Sequence, residues 1–283
     1  MNVQKNRFLS EFSTFGIGGP IRYFLEISTI EEAQAAYNWA RFQKVPVFVI
    51  GKGSNCLFSD APFEGLALLN RIDFCKIDEE EVEVGAGYSF SLLGVQTARK
   101  NLSGLEFACG IPATVGGAIF MNAGANGNET CQSLRSVTYL HETGEIQIYG
   151  RYELTFGYRH SPFQEMKGCI LSAKFHLSQQ PEARKDQLAI IDHRMKTQPL
   201  KEKSVGCVFR NPVSQIGAGA LIDKCGLKGL KVGGAKISEI HANFIINEGS
   251  AKATEVLELI RIIQEKVFEQ TGFHLETEVR LAP

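Results

Sequence analysis

Hydrophobic and polar positions change rhythm along the chain, and the changes predict alternating strands and helices. Arg22 to Ile27 (RYFLEI) reads as a strand, and Ser28 with Glu31 forms a capping box that opens an amphipathic helix. That helix carries Ile30, Ala33, Tyr37 and Ala40 on one face. Pro46 to Ile50 (PVFVI) is a short buried strand ending in the turn Gly51-Lys52-Gly53-Ser54-Asn55. These blocks predict a β-α-β unit. A second α/β unit is expected from Glu79, where the alternation EEVEVGAG suggests a half-buried strand and Phe90 to Lys100 a helix. Val137 to Ile148 and Cys169 to His176 read as further strands, joined through Phe156 to Phe163.

After Gln179 the polar stretch QQPEARKDQLAIIDHRMKTQP predicts a helix and then a linker, with a domain boundary near residue 195. Beyond it, Gly217 to Cys225 reads as a short helix ended by Gly226. Thr254 to Gln270 reads as a longer one, with Val256, Leu259, Ile260, Ile263 and Val267 as its apolar stripe. The expected division is therefore 1–65, 66–195 and 196–283.

Composition narrows the chemistry. With 283 residues, 44% hydrophobic and 22% charged, the chain has the balance of a globular protein of two or three domains. A formal net charge of -1 supplies no electrostatic footprint for nucleic acid. The N-terminus lacks the apolar core of a signal peptide and no apolar run approaches the 18 or so residues of a span, so a cytoplasmic protein without a membrane partner is expected. Seven scattered cysteines without a CxxC pair indicate reduced thiols, and no histidine pattern points to a metal.

The candidate chemistry lies in two glycine-rich segments. Small residues from Gly51 to Asn55, following a buried strand, would let backbone N–H groups converge on an anion, although the segment matches neither the Walker pattern nor GxGxxG. About 55 residues later, Gly110-Ile111-Pro112-Ala113-Thr114-Val115-Gly116-Gly117-Ala118 and Asn122-Ala123-Gly124-Ala125 offer a second such surface. Two loops of this kind could hold both ends of a dinucleotide; a tightly packed bend between strands would also select glycines. The stretch from Gly104 to Gly127 has too many glycines and too few charges for a regular helix or a solvated linker.

Six ordered segments carry a resemblance: Thr14-Phe15-Gly16-Ile17-Gly18-Gly19, GKGSN, GLEFACGIPATVGGAIFMNAGA, Tyr158-Arg159-His160-Ser161, SVGCVFRNP and LETEVR. From about residue 12 to 281 the chain resembles the UDP-N-acetylenolpyruvoylglucosamine reductase family, with GIPATVGGAIFMNAGA the most specific segment. The resemblance implies an α+β fold: an FAD-binding module of vanillyl-alcohol-oxidase type, made of two α/β subdomains, followed by a C-terminal α/β substrate-binding domain. It implies FAD as cofactor and NADPH as co-substrate. Gly51, Gly53, Ser54 and Asn55 would face the pyrophosphate, and Gly110, Ile111, Thr114, Gly116, Gly117, Asn122, Ala123 and Gly124 would line the rest.

The implied reaction delivers hydride to the vinyl carbon of an enolpyruvyl UDP-sugar and pushes charge into its carboxylate. Arg159 matches the family's arginine and suits that carboxylate, because a guanidinium stays cationic and binds it through two parallel hydrogen bonds. Glu278 matches a second polarising residue, able as a protonated acid to hydrogen-bond the enolate. Cys207 stands where the family's usual serine supplies the proton. A thiol of ordinary pKa near 8.5 is a better acid than an alcohol; a buried, inert thiol would leave the proton to a bound water.

Tyr158 and Asn211 are further expected substrate contacts. Thr197 replaces the lysine that often precedes QP, with Lys196 one residue earlier, and the short link from Pro212 to Gly217 suggests the family's compact second type. The rival readings are an FAD oxidase of the same superfamily and a non-catalytic flavin or nucleotide-sugar sensor. The lack of a flavin-tethering motif in the first 60 residues opposes the first, and intact Arg159 and Glu278 oppose the second. No long heptad appears, so a monomer is expected.

Overall fold

The computed structural model describes residues 1–212 and 216–283. These pack as two compact units: Met1–Lys5, Tyr23–Lys52 and Glu64–His193 form the first, and Asn6–Arg22, Gly53–Phe63 and Arg194–Pro283 the second.

The first unit has two apolar cores. One lies under a sheet in which Pro20–Ile27, Phe63–Asn70 and Val47–Ile50 are neighbours in that order, the last two parallel. Helix Ile30–Gln43 covers it, burying Ala33, Ala36, Tyr37 and Ala40 against Leu25, Ile27, Leu66 and Leu68. Its cap differs from the expected one by one residue. Thr29 Oγ1 accepts from Glu32 N–H at 3.2 Å, while Glu32 reaches back to the N–H of Ser28 at 2.6 Å. Thr29-Ile30-Glu31-Glu32 satisfies the same spacing rule, and the extended backbone of Thr29 decides between the two.

The other core lies against a five-stranded antiparallel sheet ordered Ile146–Gly150, Leu134–His141, Gly168–His176, Glu81–Gly85, Cys75–Asp78. The expected strand from Val137 to Ile148 is thus two strands of a hairpin, folded back where Gly144 takes φ 95°. Helix Phe90–Arg99 buries Phe90, Leu93 and Ala98. The glycine-rich stretch, expected to exclude regular helix, contains the short helix Val115–Phe120, capped by Thr114.

The second unit is built on the four-stranded sheet Ser204–Cys207, Phe244–Asn247, Ala235–Ile237, Lys231–Val232. Helix Ala253–Thr271 lays Val256, Leu259, Ile260, Ile263 and Val267 into its core, the stripe read from the sequence, and ends at Gly272 in a left-handed conformation. The earlier segments belong to this core because they contribute Phe15, Ile17 and Leu57 to it. Thr14 Oγ1 donates to Ser204 O at 2.7 Å and Asn247 Nδ2 to Phe15 O at 2.9 Å, so the motif around Gly16 anchors the unit. Strand Arg280–Ala282 runs parallel to Cys56–Phe58.

Among the described residues no helix is long and apolar enough to cross a membrane, and no cluster of three or more His, Cys, Asp or Glu could hold a metal ion.

Candidate active site

In the first unit Gly51, which opens the first glycine-rich segment, meets the second segment at Thr114. A Cβ on Gly51 would lie 2.5 Å from Thr114 Oγ1, so only glycine allows the approach. Thr114 is 3% exposed, and its hydroxyl accepts from Gly117 N–H at 3.2 Å. Backbone bonds from Phe90 to Ala113 O, Val115 to Tyr88 O and Gly116 to Ala86 O pin the second segment to the first turn of its neighbouring helix. Gly110 donates to Ser91 Oγ at 2.8 Å, and half-buried Ile111 packs on the core. Gly117 has open space beside it apart from Thr114. Lys52 Nζ reaches Ser89 Oγ at 3.4 Å.

The N–H groups of Lys52, Gly53, Ser54 and Asn55 have no acceptor among the described residues. A run of unbonded donors beside glycines is the electrostatic complement of a phosphate. This is the observation that fits the loop to a pyrophosphate-bearing cofactor.

Asn122, expected to line the cofactor, turns its side chain into the protein. It is 0% exposed and wholly committed within the protein. Its Nδ2 donates to Glu129 Oε2 and to Gly157 O, both at 2.9 Å, while Oδ1 accepts from Cys131 N–H at 3.1 Å. Both amide hydrogens are spent, and the one remaining lone pair of Oδ1 is buried with the residue. What it holds is the turn Gly157–His160, closed by reciprocal backbone bonds of 3.1 and 3.0 Å, on which Arg159 sits at φ 56°. That backbone region is costly for a residue with a side chain and is retained where its surroundings over-determine it. Gln164 Nε2 braces Arg159 O at 3.1 Å. The guanidinium lies against Gly124, where a Cβ would be 3.2 Å from Arg159 Nη1, and over the ring of half-exposed Tyr158. Ala123 has its carbonyl bonded by Thr130 N–H and Oγ1 at 2.9 and 2.7 Å.

In the second unit, Cys207 ends the strand Ser204–Cys207, and Glu278 lies just before the strand Arg280–Ala282. Val208 O accepts from the N–H of Glu278 at 2.7 Å and of Val279 at 3.3 Å. Asn55 links the glycine loop to the same place: its Nδ2 donates to Glu278 O at 3.3 Å, and its carbonyl accepts from Arg280 N–H at 3.0 Å. Gly53, at φ 58°, has no room for a Cβ, which would lie 2.4 Å from Phe12 O. Val279 enters the core while Glu278, its neighbour, is half-buried.

Cys207 is half-buried and stands apart from that core. Cys169, by contrast, is buried in a core of the first unit, and that burial pushes its thiol up to about 12. Asn211 is exposed, and its Oδ1 accepts from Ala218 N–H at 3.0 Å, which satisfies the first N–H of helix Ala218–Lys224 and leaves its amide nitrogen for a substrate. Most of the short link after Pro212 falls on residues 213–215, outside the described residues.

One residue of this region carried no sequence signal. Asn243, 3% exposed, donates from Nδ2 to Phe209 O at 2.8 Å and accepts at Oδ1 from Phe209 N–H at 2.9 Å, while its carbonyl takes Val208 N–H at 2.8 Å. It thereby extends the contact beyond the last ladder pair, Cys207 with Phe244, after the register has shifted between Ser204 and Cys207.

Comparison with known proteins bears on the whole chain. Residues 21–150 match the family described as FAD binding domain, and residues 198–282 the C-terminal domain of UDP-N-acetylenolpyruvoylglucosamine reductase. The chain is 55% identical to the UDP-N-acetylenolpyruvoylglucosamine reductase of Protochlamydia amoebophila over 99% of its length and 94% of the relative's. It is 49% identical to that of Chlamydia muridarum over 100% and 95%. The crystal structure of UDP-N-acetylenolpyruvylglucosamine reductase from Thermus caldophilus matches with a TM-score of 0.86 at 39% identity, covering both chains completely. With the fold, the glycine-rich segments and the full-length likeness in agreement, the chain belongs to the UDP-N-acetylenolpyruvoylglucosamine reductase family.

Proposed function

We propose that the protein reduces the enolpyruvyl ether of UDP-N-acetylglucosamine enolpyruvate to UDP-N-acetylmuramate, a step in making peptidoglycan precursors, with FAD bound and NADPH as reductant. The observation that carries the cofactor assignment is the run of unbonded N–H groups from Lys52 to Asn55, beside a Gly51 pressed against Thr114. Those donors would hold the pyrophosphate, and Gly110 to Gly117 would contact other parts of FAD. When bound, FAD supplies the hydride that reaches the substrate.

The remaining work falls to side chains of this chain. Arg159, its turn held by Asn122 and Gln164, pairs with the substrate carboxylate and keeps it cationically balanced as the adjacent carbon gains charge. Glu278 donates a hydrogen bond to the enolate oxygen from its protonated form. Cys207 gives its thiol proton to the carbon bearing the carboxylate, so the double bond is replaced by one carbon–hydrogen bond from the hydride and one from the thiol. Tyr158 and the free amide nitrogen of Asn211 contact the rest of the substrate. The protein acts in the cytoplasm as a monomer.

The test is NADPH oxidation followed at 340 nm with and without the enolpyruvyl UDP-sugar, in wild type and Cys207→Ala. Substrate-dependent oxidation is expected in wild type, with kcat about 10²–10⁴-fold lower in the variant while NADPH still bleaches the flavin at the wild-type rate. A wild-type protein that binds no FAD, or whose NADPH oxidation ignores the substrate, overturns the reading.

A further inference from the structure

Arg210 stands three residues beyond Cys207, and its side chain makes no hydrogen bond or ion pair with a described residue. Its Nε is sealed from solvent without an acceptor. Its backbone N–H is engaged, bonding Glu276 O at 2.9 Å, so the strand holds the residue firmly. A half-buried cation with a dehydrated donor is unfavourable on its own, and an anion that arrives from outside is the direct remedy.

The path of the strand says which face the cation shares. In a regular strand, successive side chains alternate, so residues three apart lie on opposite faces. Here Val208 and Phe209, both 1% exposed, enter the same core in succession. The alternation slips by one residue where Asn243 clamps Phe209, just beyond the register shift between Ser204 and Cys207. Counted from that slip, Cys207 and Arg210 fall on the side opposite the core-facing Val208 and Phe209, with at most about 10 Å of backbone between them.

Resting on the function proposed above, we propose that Arg210 binds the diphosphate of the UDP-sugar and sets the reach between that handle and the carbon Cys207 protonates. The carboxylate is too near that carbon to be the partner, since it is bonded to it directly. The diphosphate lies across the sugar from the enolpyruvyl group, which suits the longer spacing. A guanidinium offers parallel N–H donors matched to phosphate oxygens, which a lysine ammonium cannot reproduce.

The test uses the FAD-loaded enzyme with Arg210→Gln and Arg210→Lys. It compares UDP with uridine as inhibitors, together with KM for the UDP-sugar and for NADPH. In the glutamine variant, the UDP inhibition constant and the UDP-sugar KM rise at least about tenfold. Uridine inhibition, NADPH KM and FAD content stay at wild-type values, and kcat falls by no more than about threefold. The lysine variant, which keeps the charge and can stand in if glutamine impairs folding, recovers part of the loss. Unchanged UDP inhibition overturns the proposal. So does a fall confined to kcat, which would put Arg210 on the carboxylate, or a loss confined to FAD or NADPH, which would put it on a cofactor phosphate. Wild-type enzyme without substrate-dependent turnover would instead remove the functional reading beneath the proposal.

Discussion

Asn243 spends both ends of its amide on the backbone of one residue, Phe209, from a position 34 residues away in sequence. Asn243→Ala leaves a buried N–H and a buried C=O unsatisfied, so unfolding free energy should fall by about 2–4 kcal/mol in a urea titration. The holoenzyme should also lose turnover, because the strand carrying Cys207 relaxes toward regular alternation. Gly51→Ala acts by collision instead: its Cβ would displace Thr114, and the expected readout is weaker FAD retention on dialysis.

His241 adds a pH dependence. Burial, then the positive charge of Lys228, lowers its pKa below the usual histidine value. The unfolded chain therefore binds the extra proton, and this contribution to stability is complete above about pH 6.5 and declines as pH falls below it. His241→Gln should flatten the acid limb of a melting-temperature profile between pH 7 and 5, and an unaltered slope would count against the assignment. At this scale Arg159, Cys207 and Glu278 stand out as candidates in the sequence because each sits in a short motif. Asn243 and Arg210 do not, since their roles arise from partners made, or missing, across the fold.

Elements were legible in proportion to their periodicity. The helix Ala253–Thr271 announced itself through its stripe, and Leu259→Ala should cost about 2–5 kcal/mol, measurable as a shifted denaturant midpoint. The helix Val115–Phe120 was hidden because Gly116 and Gly117 sit in its first turn, where intrinsic propensity opposes it. The Thr114 cap and the bonds to Ala86 and Tyr88 override that propensity. Thr114→Ala should therefore melt this turn, costing about 1 kcal/mol of stability together with FAD affinity. The hairpin Leu134–Gly150 was read as one strand because its turn, Glu142 to Glu145, contains a single glycine and no Asn-Gly or Asp-Gly signal.

At the scale of the molecule, the second unit gathers Asn6–Arg22 and Gly53–Phe63 together with Arg194–Pro283. Nothing local in those early segments marks them as belonging to a core completed 140 residues or more further on; only Phe15, Ile17 and Leu57, buried there, reveal it. A fragment from Arg194 to Pro283 should consequently fail to fold alone. It lacks three apolar side chains worth about 1.5–3 kcal/mol each, against a total domain stability of about 5–15 kcal/mol. Poor dispersion in its amide spectrum is the expected outcome, and a cooperative melt would refute it.

The same sewing of early to late chain sets a clock on biosynthesis. Asn55 cannot complete its bonds to Glu278 and Arg280 until those two residues have left the ribosome. At about 5–20 residues per second, the intervening chain takes roughly 10–45 s to be made. Throughout that interval Phe15, Ile17 and Leu57 are without their final neighbours, and the nascent protein is a client for chaperones on behalf of its N-terminal tenth and the loop that follows Lys52.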